Sequence, residues 1–226
     1  MASAWILLYQ AVHEHGGDVW TVAPADLEET VRLAREAGLE ITTLAAALDG
    51  TRDAVAITFD DAHRSVHELA LPMLDGLGVT ATVFASVDWI RDEPSSSETM
   101  TWSQLRELNR HGWSIASHGC AHVQLDRLTA AEIDRELRRS KQVLEDRIGG
   151  VVSSVAYPYG AVPPASVVAI EQQMIAAGYR YAVLAAGGAA RTPPRQAYRV
   201  PRDPMAPGQR PAFAVKQEGA ATWRAS

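Results

Sequence analysis

The sequence predicts an α/β fold built on a parallel sheet, and three observations carry that reading. Short apolar runs alternate with segments of helical period along most of the 226 residues. Two of the helical segments open on capping boxes, Thr101-Trp102-Ser103-Gln104 and Thr129-Ala130-Ala131-Glu132. Polar residues cluster where apolar runs stop, and the C-terminal ends of parallel strands are where α/β folds assemble their sites.

Each element has its own warrant. Trp5-Ile6-Leu7-Leu8-Tyr9 reads as a buried strand. It is far shorter than the roughly 20 residues of a membrane span, and it lacks the basic flank and cleavage site of a signal peptide. Cytoplasmic location is therefore the default expectation. Pro24 to Ala37 reads as a helix, with proline in its first turn and Gly38 past its end. Ala54 to Phe59 is a continuous apolar run, as a strand covered on both faces would be. A helix follows from about Ser65 to Leu77, stopped by Gly78, and Val79 to Ala85 is a third strand. The first capping box opens a helix to His111, and Trp113 to Ser117 is the next strand. The second box opens a helix carrying Ile133, Leu137, Val143 and Leu144 at roughly a 3.6 period, ending near Gly149. Val151–Tyr157 reads as a strand, Pro164–Ala177 as a helix and Tyr179–Leu184 as a strand. Ser95-Ser96-Ser97 lies in a polar loop. Six prolines between Pro193 and Pro211 predict an extended, irregular stretch.

Composition excludes several classes. Apolar residues make up 47% and charged residues 21%, so the chain is globular. Lys plus Arg number 21 against 27 Asp plus Glu, a net charge of −6, which disfavours nucleic acid and anionic membrane surfaces as partners. Cys120 is the single cysteine, so there is no internal disulfide and no multi-cysteine metal site.

Three clusters stand at strand ends: Asp60-Asp61, His118-Gly119-Cys120-Ala121-His122, and Tyr157-Pro158-Tyr159-Gly160. Adjacent carboxylates after a buried strand repel in a low dielectric, and a cation relieves that. One would bind it and the other would be free as a base. The plain alternative is a pair of solvated turn acids. Two histidines four apart can reach one ion, but a zinc-protease motif needs Glu directly after the first His, and Gly119 sits there. Two His plus one Asp make a three-ligand site with open positions, suited to zinc or another divalent ion. Cys120 needs no role beyond filling a small buried space. The Tyr157–Gly160 turn is either a plain loop or a backbone N–H held toward the ion.

Thr58-Phe59-Asp60-Asp61, His118-Gly119-Cys120-Ala121-His122 and Ala156-Tyr157-Pro158-Tyr159-Gly160 resemble, in order and spacing, the first three motifs of the polysaccharide deacetylase family. Leu71-Pro72-Met73-Leu74, Ala81-Thr82-Val83-Phe84, Thr101-Trp102 and Glu136-Leu137 extend the likeness, which covers about Trp5 to Arg199. Leu8-Tyr9-Gln10 and Thr21-Val22-Ala23-Pro24 look closest to the poly-N-acetylglucosamine deacetylase-like branch. The resemblance implies a distorted (β/α) barrel, often of seven parallel strands, as a single catalytic domain over residues 1–200, followed by a Pro-rich segment over 201–226. It implies removal of an N-acetyl group from a sugar or glycan. Asp60 would be the general base, Asp61, His118 and His122 the ligands of a divalent ion, with zinc expected, and the Tyr159 N–H an oxyanion donor.

The departures sit in the acid half of the implied site. The family's Asp-Asp-Gly is Asp60-Asp61-Ala62, and Ala156 stands where an arginine often orients the base. All seven histidines lie at or before His122, so the late histidine that protonates the leaving amine has no counterpart, nor does its aspartate. The early strand's histidine is Gln10. His13 and His15 follow the first strand, as solvated loop residues or as a replacement acid. Two rivals follow: a sugar-binding relic of the fold, and an amide hydrolase acting on a small non-sugar metabolite.

Overall fold

The computed structural model describes residues 2–17, 19–94 and 98–215. Ser95-Ser96-Ser97 and the tail after residue 215 lie outside the described residues. A curled sheet holds the centre of the molecule. Its path begins with β1 (Ala2–Tyr9) beside β5 (Ala54–Phe59), then β6 (Thr82–Ala85), β7 (Ser114–Ser117), β8 (Ser154–Ala156) and β9 (Tyr181–Val183), all parallel to their neighbours. A seventh strand, β10 (Ala190–Thr192), pairs with β1 antiparallel, through Ala2 with Thr192 and Ala4 with Ala190. The distorted seven-strand barrel expected from the sequence is therefore present, six of its strands parallel. Shorter pieces border it: β4 (Glu40–Thr42) on β5, and the small pair β2 (Ala11–Val12) and β3 (Thr21–Val22).

Helices cover the outside: α1 (Pro24–Glu36), α2 (Leu44–Asp49), α3 (Leu71–Gly76), α4 (Trp102–Arg110), α5 (Ala130–Ile148) and α6 (Pro164–Ala176). Because both sheet faces are covered, β5 is buried at all six positions and shows no polar alternation. Both capping boxes form. Thr101 Oγ1 accepts from the Gln104 N–H while Gln104 Oε1 accepts from the Thr101 N–H at 2.8 Å, and Thr129 and Glu132 repeat the exchange. Gly149 ends α5 in the left-handed conformation at φ 78°.

The helix expected over residues 65–77 begins as a π-helical turn, Val66–Ala70, before α3. Pro72 has no N–H for the carbonyl of Glu68, and the Leu71 N–H instead reaches back five residues to Val66. No helix among the described residues is long and apolar enough to cross a membrane.

The Pro-rich stretch has a structural task. Val200 exchanges backbone hydrogen bonds with the β9 side, at Ala182 and Leu184, each 2.9 Å. Three residues on, β11 (Asp203–Pro204) pairs with β1 at Leu7 and Leu8. The chain thus bridges the gap between the two ends of the parallel array, and Arg202 faces the barrel interior at the point of closure, with 0% of its surface exposed.

Phe59 anchors the centre of this core. Its ring stacks on Trp113 at 5.9 Å and tilts against Tyr9 at 5.7 Å, with no exposure. Phe59→Ala should cost about 3–5 kcal/mol, the usual loss for a buried phenylalanine. Urea unfolding should show it as a lowered midpoint at constant slope. A cost under about 1 kcal/mol would mean that this packing does not support the sheet.

Candidate active site

The end of β5 delivers Asp60 and Asp61. The Asp60 N–H donates to the Tyr9 carbonyl at 2.9 Å, so the pairing of β1 with β5 continues to the first carboxylate. The chain then turns sharply, with φ 65° at Asp61 and 50° at Ala62. His122 and Tyr159 also have positive φ, 54° and 63°. Among the described residues these four are the non-glycine positions in that region, and all four lie at the strand-end clusters. Left-handed backbone costs such residues roughly 1–2 kcal/mol each, so the surrounding fold must hold them there.

The His118–His122 loop is fixed from several sides. The His118 N–H donates to Ala85 at 2.9 Å, and the Asp88 N–H donates to Cys120 at 3.0 Å. From α5, Glu136 Oε2 accepts from the N–H groups of Cys120 and Ala121, at 2.7 and 3.2 Å. His118 Nδ1 donates to the Ala156 carbonyl at 3.0 Å. That bond leaves the Nε2 lone pair facing the cleft, the arrangement a metal-binding imidazole requires.

Asp61 Oδ1 lies 3.6 Å from His118 Nε2 and 3.5 Å from His122 Nε2. It is buried and accepts no hydrogen bond. A carboxylate oxygen left unpaired between two imidazole nitrogens is costly unless a cation satisfies it. One ligand atom from each of Asp61, His118 and His122 falls within 4.8 Å of the others, so the set fits a divalent ion. Burial lowers the pKa of both histidines despite the nearby carboxylates, keeping them neutral and able to ligate. Burial, with Asp60 alongside, pushes Asp61 up, the direction a bound cation would reverse.

Asp60 is held differently. Arg202 Nη1 and Nη2 donate to its two oxygens at 2.7 and 2.8 Å, a bidentate pair buried on both sides. Arg202 also donates to Thr58 Oγ1 at 3.2 Å and to the Leu184 carbonyl at 3.3 Å, and sits 5.1 Å from the Phe84 ring centre. Burial alone would raise the Asp60 carboxyl, but Arg202 and then His118 outweigh it and hold it below the ordinary carboxylate value.

A cleft of about 290 Å³ opens over these groups, lined by Leu8, Gln10, Trp20, Asp60, His118, His122, Tyr159, Gly160 and Ala185. Tyr159 projects into solvent at 67% exposure, its ring 4.8 Å from that of His122. Its turn is set by Gly160, where a Cβ would come within 2.4 Å of the Ala185 Cβ. Cys120 is buried with Sγ toward the Glu136 carbonyl, outside the cleft lining. His13 and His15 are exposed, pack on each other at 6.4 Å and do not line the cleft; Gln10 does.

Two residues of this site were not singled out as functional from the sequence. Arg202 lies 142 residues from Asp60, in an irregular segment with no periodic signal. Glu136 sits on an amphipathic helix among ordinary surface charges, and only its place beside Leu137 within the family likeness marked it.

Comparison with known proteins shows the family and the fold. The family model for polysaccharide deacetylase matches residues 47–182. YxkH of Bacillus subtilis, named as a polysaccharide deacetylase, is 28% identical over 192 residues. That alignment covers 82% of this chain and 65% of YxkH, so the chain spans somewhat less than two thirds of that relative. Among solved structures, the Streptococcus pyogenes deacetylase PplD in complex with acetate superposes with a TM-score of 0.81 at 20% identity, covering 95% of this chain and 97% of that one. IcaB from Ammonifex degensii gives 0.77 at 17% identity, covering 99% and 97%. These likenesses, at low identity, establish a shared fold. With the family model matching more than half of its length, the chain belongs to the polysaccharide deacetylase family.

Proposed function

We propose that this protein is a metal-dependent hydrolase that removes the acetyl group from an N-acetylated sugar or glycan. The observation that carries the reading is the orphaned Asp61 Oδ1 between two neutral imidazoles, with the ionised Asp60 next to it in the chain. Asp61, His118 and His122 would hold the ion, and the mixed imidazole and carboxylate set suits zinc. Such an ion supplies Lewis-acid polarisation of the amide carbonyl and a lowered pKa for water.

The chain's own residues do the rest. Asp60 accepts the proton of the attacking water, its carboxylate fixed in place by the Arg202 fork. Tyr159 offers its backbone N–H to the oxygen that gains charge as the acetyl carbon becomes tetrahedral. The amide C–N bond then breaks, and the leaving nitrogen needs a proton. Among the described residues, the cleft lining holds no histidine beyond the two proposed ligands, so Asp60 returns the proton it took. Acetate and a free amino sugar are the products.

Two predictions follow this division of labour. Acetate release from N-acetylglucosamine oligomers should stop on chelation and return with added zinc. Asp60→Asn should keep the ion yet lose about 10² to 10⁴ in rate, while Asp61→Asn and His118→Ala should lose the ion. Metal analysis after dialysis separates the cases. Equal ion loss in Asp60→Asn and Asp61→Asn would make the pair a shared ligand and remove the assigned base.

The second concerns pH. A base works ionised, so kcat/KM should fall as pH drops through the Asp60 pKa, below the ordinary value of about 3.9. Arg202→Lys keeps a charge but cannot engage both oxygens, so the acidic limb should move to higher pH. Wild type and a His13→Ala, His15→Ala double variant should share one profile, with no alkaline limb near about 6.5–7. An alkaline limb lost in the double variant would make one of those histidines the acid, and an acidic limb unmoved by Arg202→Lys would remove Arg202 from the mechanism.

A further inference from the structure

The two histidines proposed to hold the ion are fixed in different ways. His118 is anchored by the bond from Nδ1 to the Ala156 carbonyl, at 3.0 Å, and only 3% of its side chain is exposed. His122 lacks such an anchor. Among the described residues, no group of another residue hydrogen-bonds its ring, and its one such bond is to its own backbone. Its side chain is also the more exposed of the two, at 14%. Its backbone is strained, with φ 54°. A ligating imidazole ordinarily donates its second nitrogen to a carbonyl, a carboxylate or water, and that bond sets the angle of the ring. Other contacts must set it here.

The contacts on the His122 ring are aromatic. The Trp89 ring lies 4.9 Å away, centroid to centroid, tilted by 40°. Tyr159 lies 4.8 Å away and His118 4.7 Å away. Tyr159 is 67% exposed, so little packing fixes it, and His118 is itself one of the proposed ligands. Trp89 is partly buried and tied at both ends of its backbone. Its N–H donates to the Ser86 carbonyl at 3.0 Å, and its carbonyl accepts from Thr99 Oγ1 at 3.1 Å. The three residues before it are bonded to the histidine loop. Ser86 Oγ donates to the His118 carbonyl at 3.1 Å, the Val87 N–H to Gly119 at 3.3 Å, and the Asp88 N–H to Cys120 at 3.0 Å. Trp89 and His122 thus share one hydrogen-bonded frame. Trp89 does not line the cleft, so gripping a substrate there does not account for it.

We infer that Trp89 is a positioning residue for His122: its indole holds the imidazole so that Nε2 faces Asp61 Oδ1, 3.5 Å away. The inference rests on the metal site proposed above, and deepens it by naming the group that keeps its least anchored ligand in place. Two effects act in the same direction. Ring contact restricts rotation of the imidazole before any ion binds. With an ion bound, the imidazole carries part of the positive charge, which the electron-rich face of an indole within about 6 Å attracts.

The test compares the full chain with Trp89→Leu, which keeps apolar volume but no ring, and with Trp89→Phe, which keeps a ring. Trp89→Met replaces the first variant should Trp89→Leu not fold. Zinc affinity is measured by competition with a chromophoric chelator. Trp89→Leu should weaken it about tenfold, the lower end of what loss of an outer partner of a ligating histidine costs, and Trp89→Phe should recover most of that. The second readout needs no metal. In ring-nitrogen NMR spectra of metal-free protein labelled at histidine, assigned with His118→Ala and His122→Ala, the His122 signals should broaden in Trp89→Leu while those of His118 stay sharp. Unchanged zinc affinity in Trp89→Leu would overturn the inference. So would equal losses in the Leu and Phe variants, or His118 signals that broaden as much as those of His122, which marks a general loosening. If wild type binds no zinc yet the His122 signals alone respond to Trp89→Leu, the positioning stands and the metal reading falls. If wild type binds zinc and the His122 signals do not respond, Trp89 has no such role and the metal reading is untouched.

Discussion

The buried ion pair between Arg202 and Asp60 is the contact on which the rest of the site depends. Neither partner has meaningful access to water, so each charge pays a desolvation cost that only the other can offset. Removing one would leave a bare charge in the barrel, which typically costs about 3–5 kcal/mol. The pair joins distant parts of the sequence. Asp60 ends β5, and Arg202 sits in the segment that spans from β9 to β1. Barrel closure and orientation of the carboxylate are thus one event: unless residues 200–204 bridge the two ends of the sheet, the guanidinium is not beneath Asp60.

This arrangement has a chemical consequence. A carboxylate held below its ordinary pKa is always ionised near neutrality, but it is a weak base. It suffices only where the proton it must remove is itself made acidic. Under the proposed function, an ion held by the neighbouring donor set would meet that need: two imidazoles kept neutral by burial, and a carboxylate oxygen with no hydrogen-bond partner. The strained turns serve the same end. Asp61, Ala62, His122 and Tyr159 adopt left-handed backbone because the groups must converge from three strand ends, and Glu136, Ala85 and Ala156 supply the hydrogen bonds that hold the histidine loop in place.

Much of this was legible in the sequence. Asp60, Asp61, His118 and His122 announced themselves because each follows an apolar run, and strand ends on one face of a parallel sheet converge. The long helices were legible through their capping boxes and period. Residues 39–50 were not, because β4 and α2 are too short to show a period. The π-helical turn was hidden because Pro72 removes a donor without changing the apolar pattern. Ala156 in the third motif suggested a site without an arginine for its base. The guanidinium is instead supplied from position 202, and no local pattern in a Pro-rich stretch reports a partner 142 residues away. His13 and His15 carried the right chemistry at a plausible place in the chain, yet the loop leaves them outside the cleft lining while Gln10 faces it.

Arg202 holds Asp60 ionised inside the barrel. The direct measurement is a carboxyl carbon NMR titration of metal-free protein labelled at aspartate, with the Asp60 resonance assigned by Asp60→Asn. The expected midpoint lies below the ordinary aspartate value of about 3.9. A midpoint at or above that value would show that burial outweighs the guanidinium, and would contradict the account.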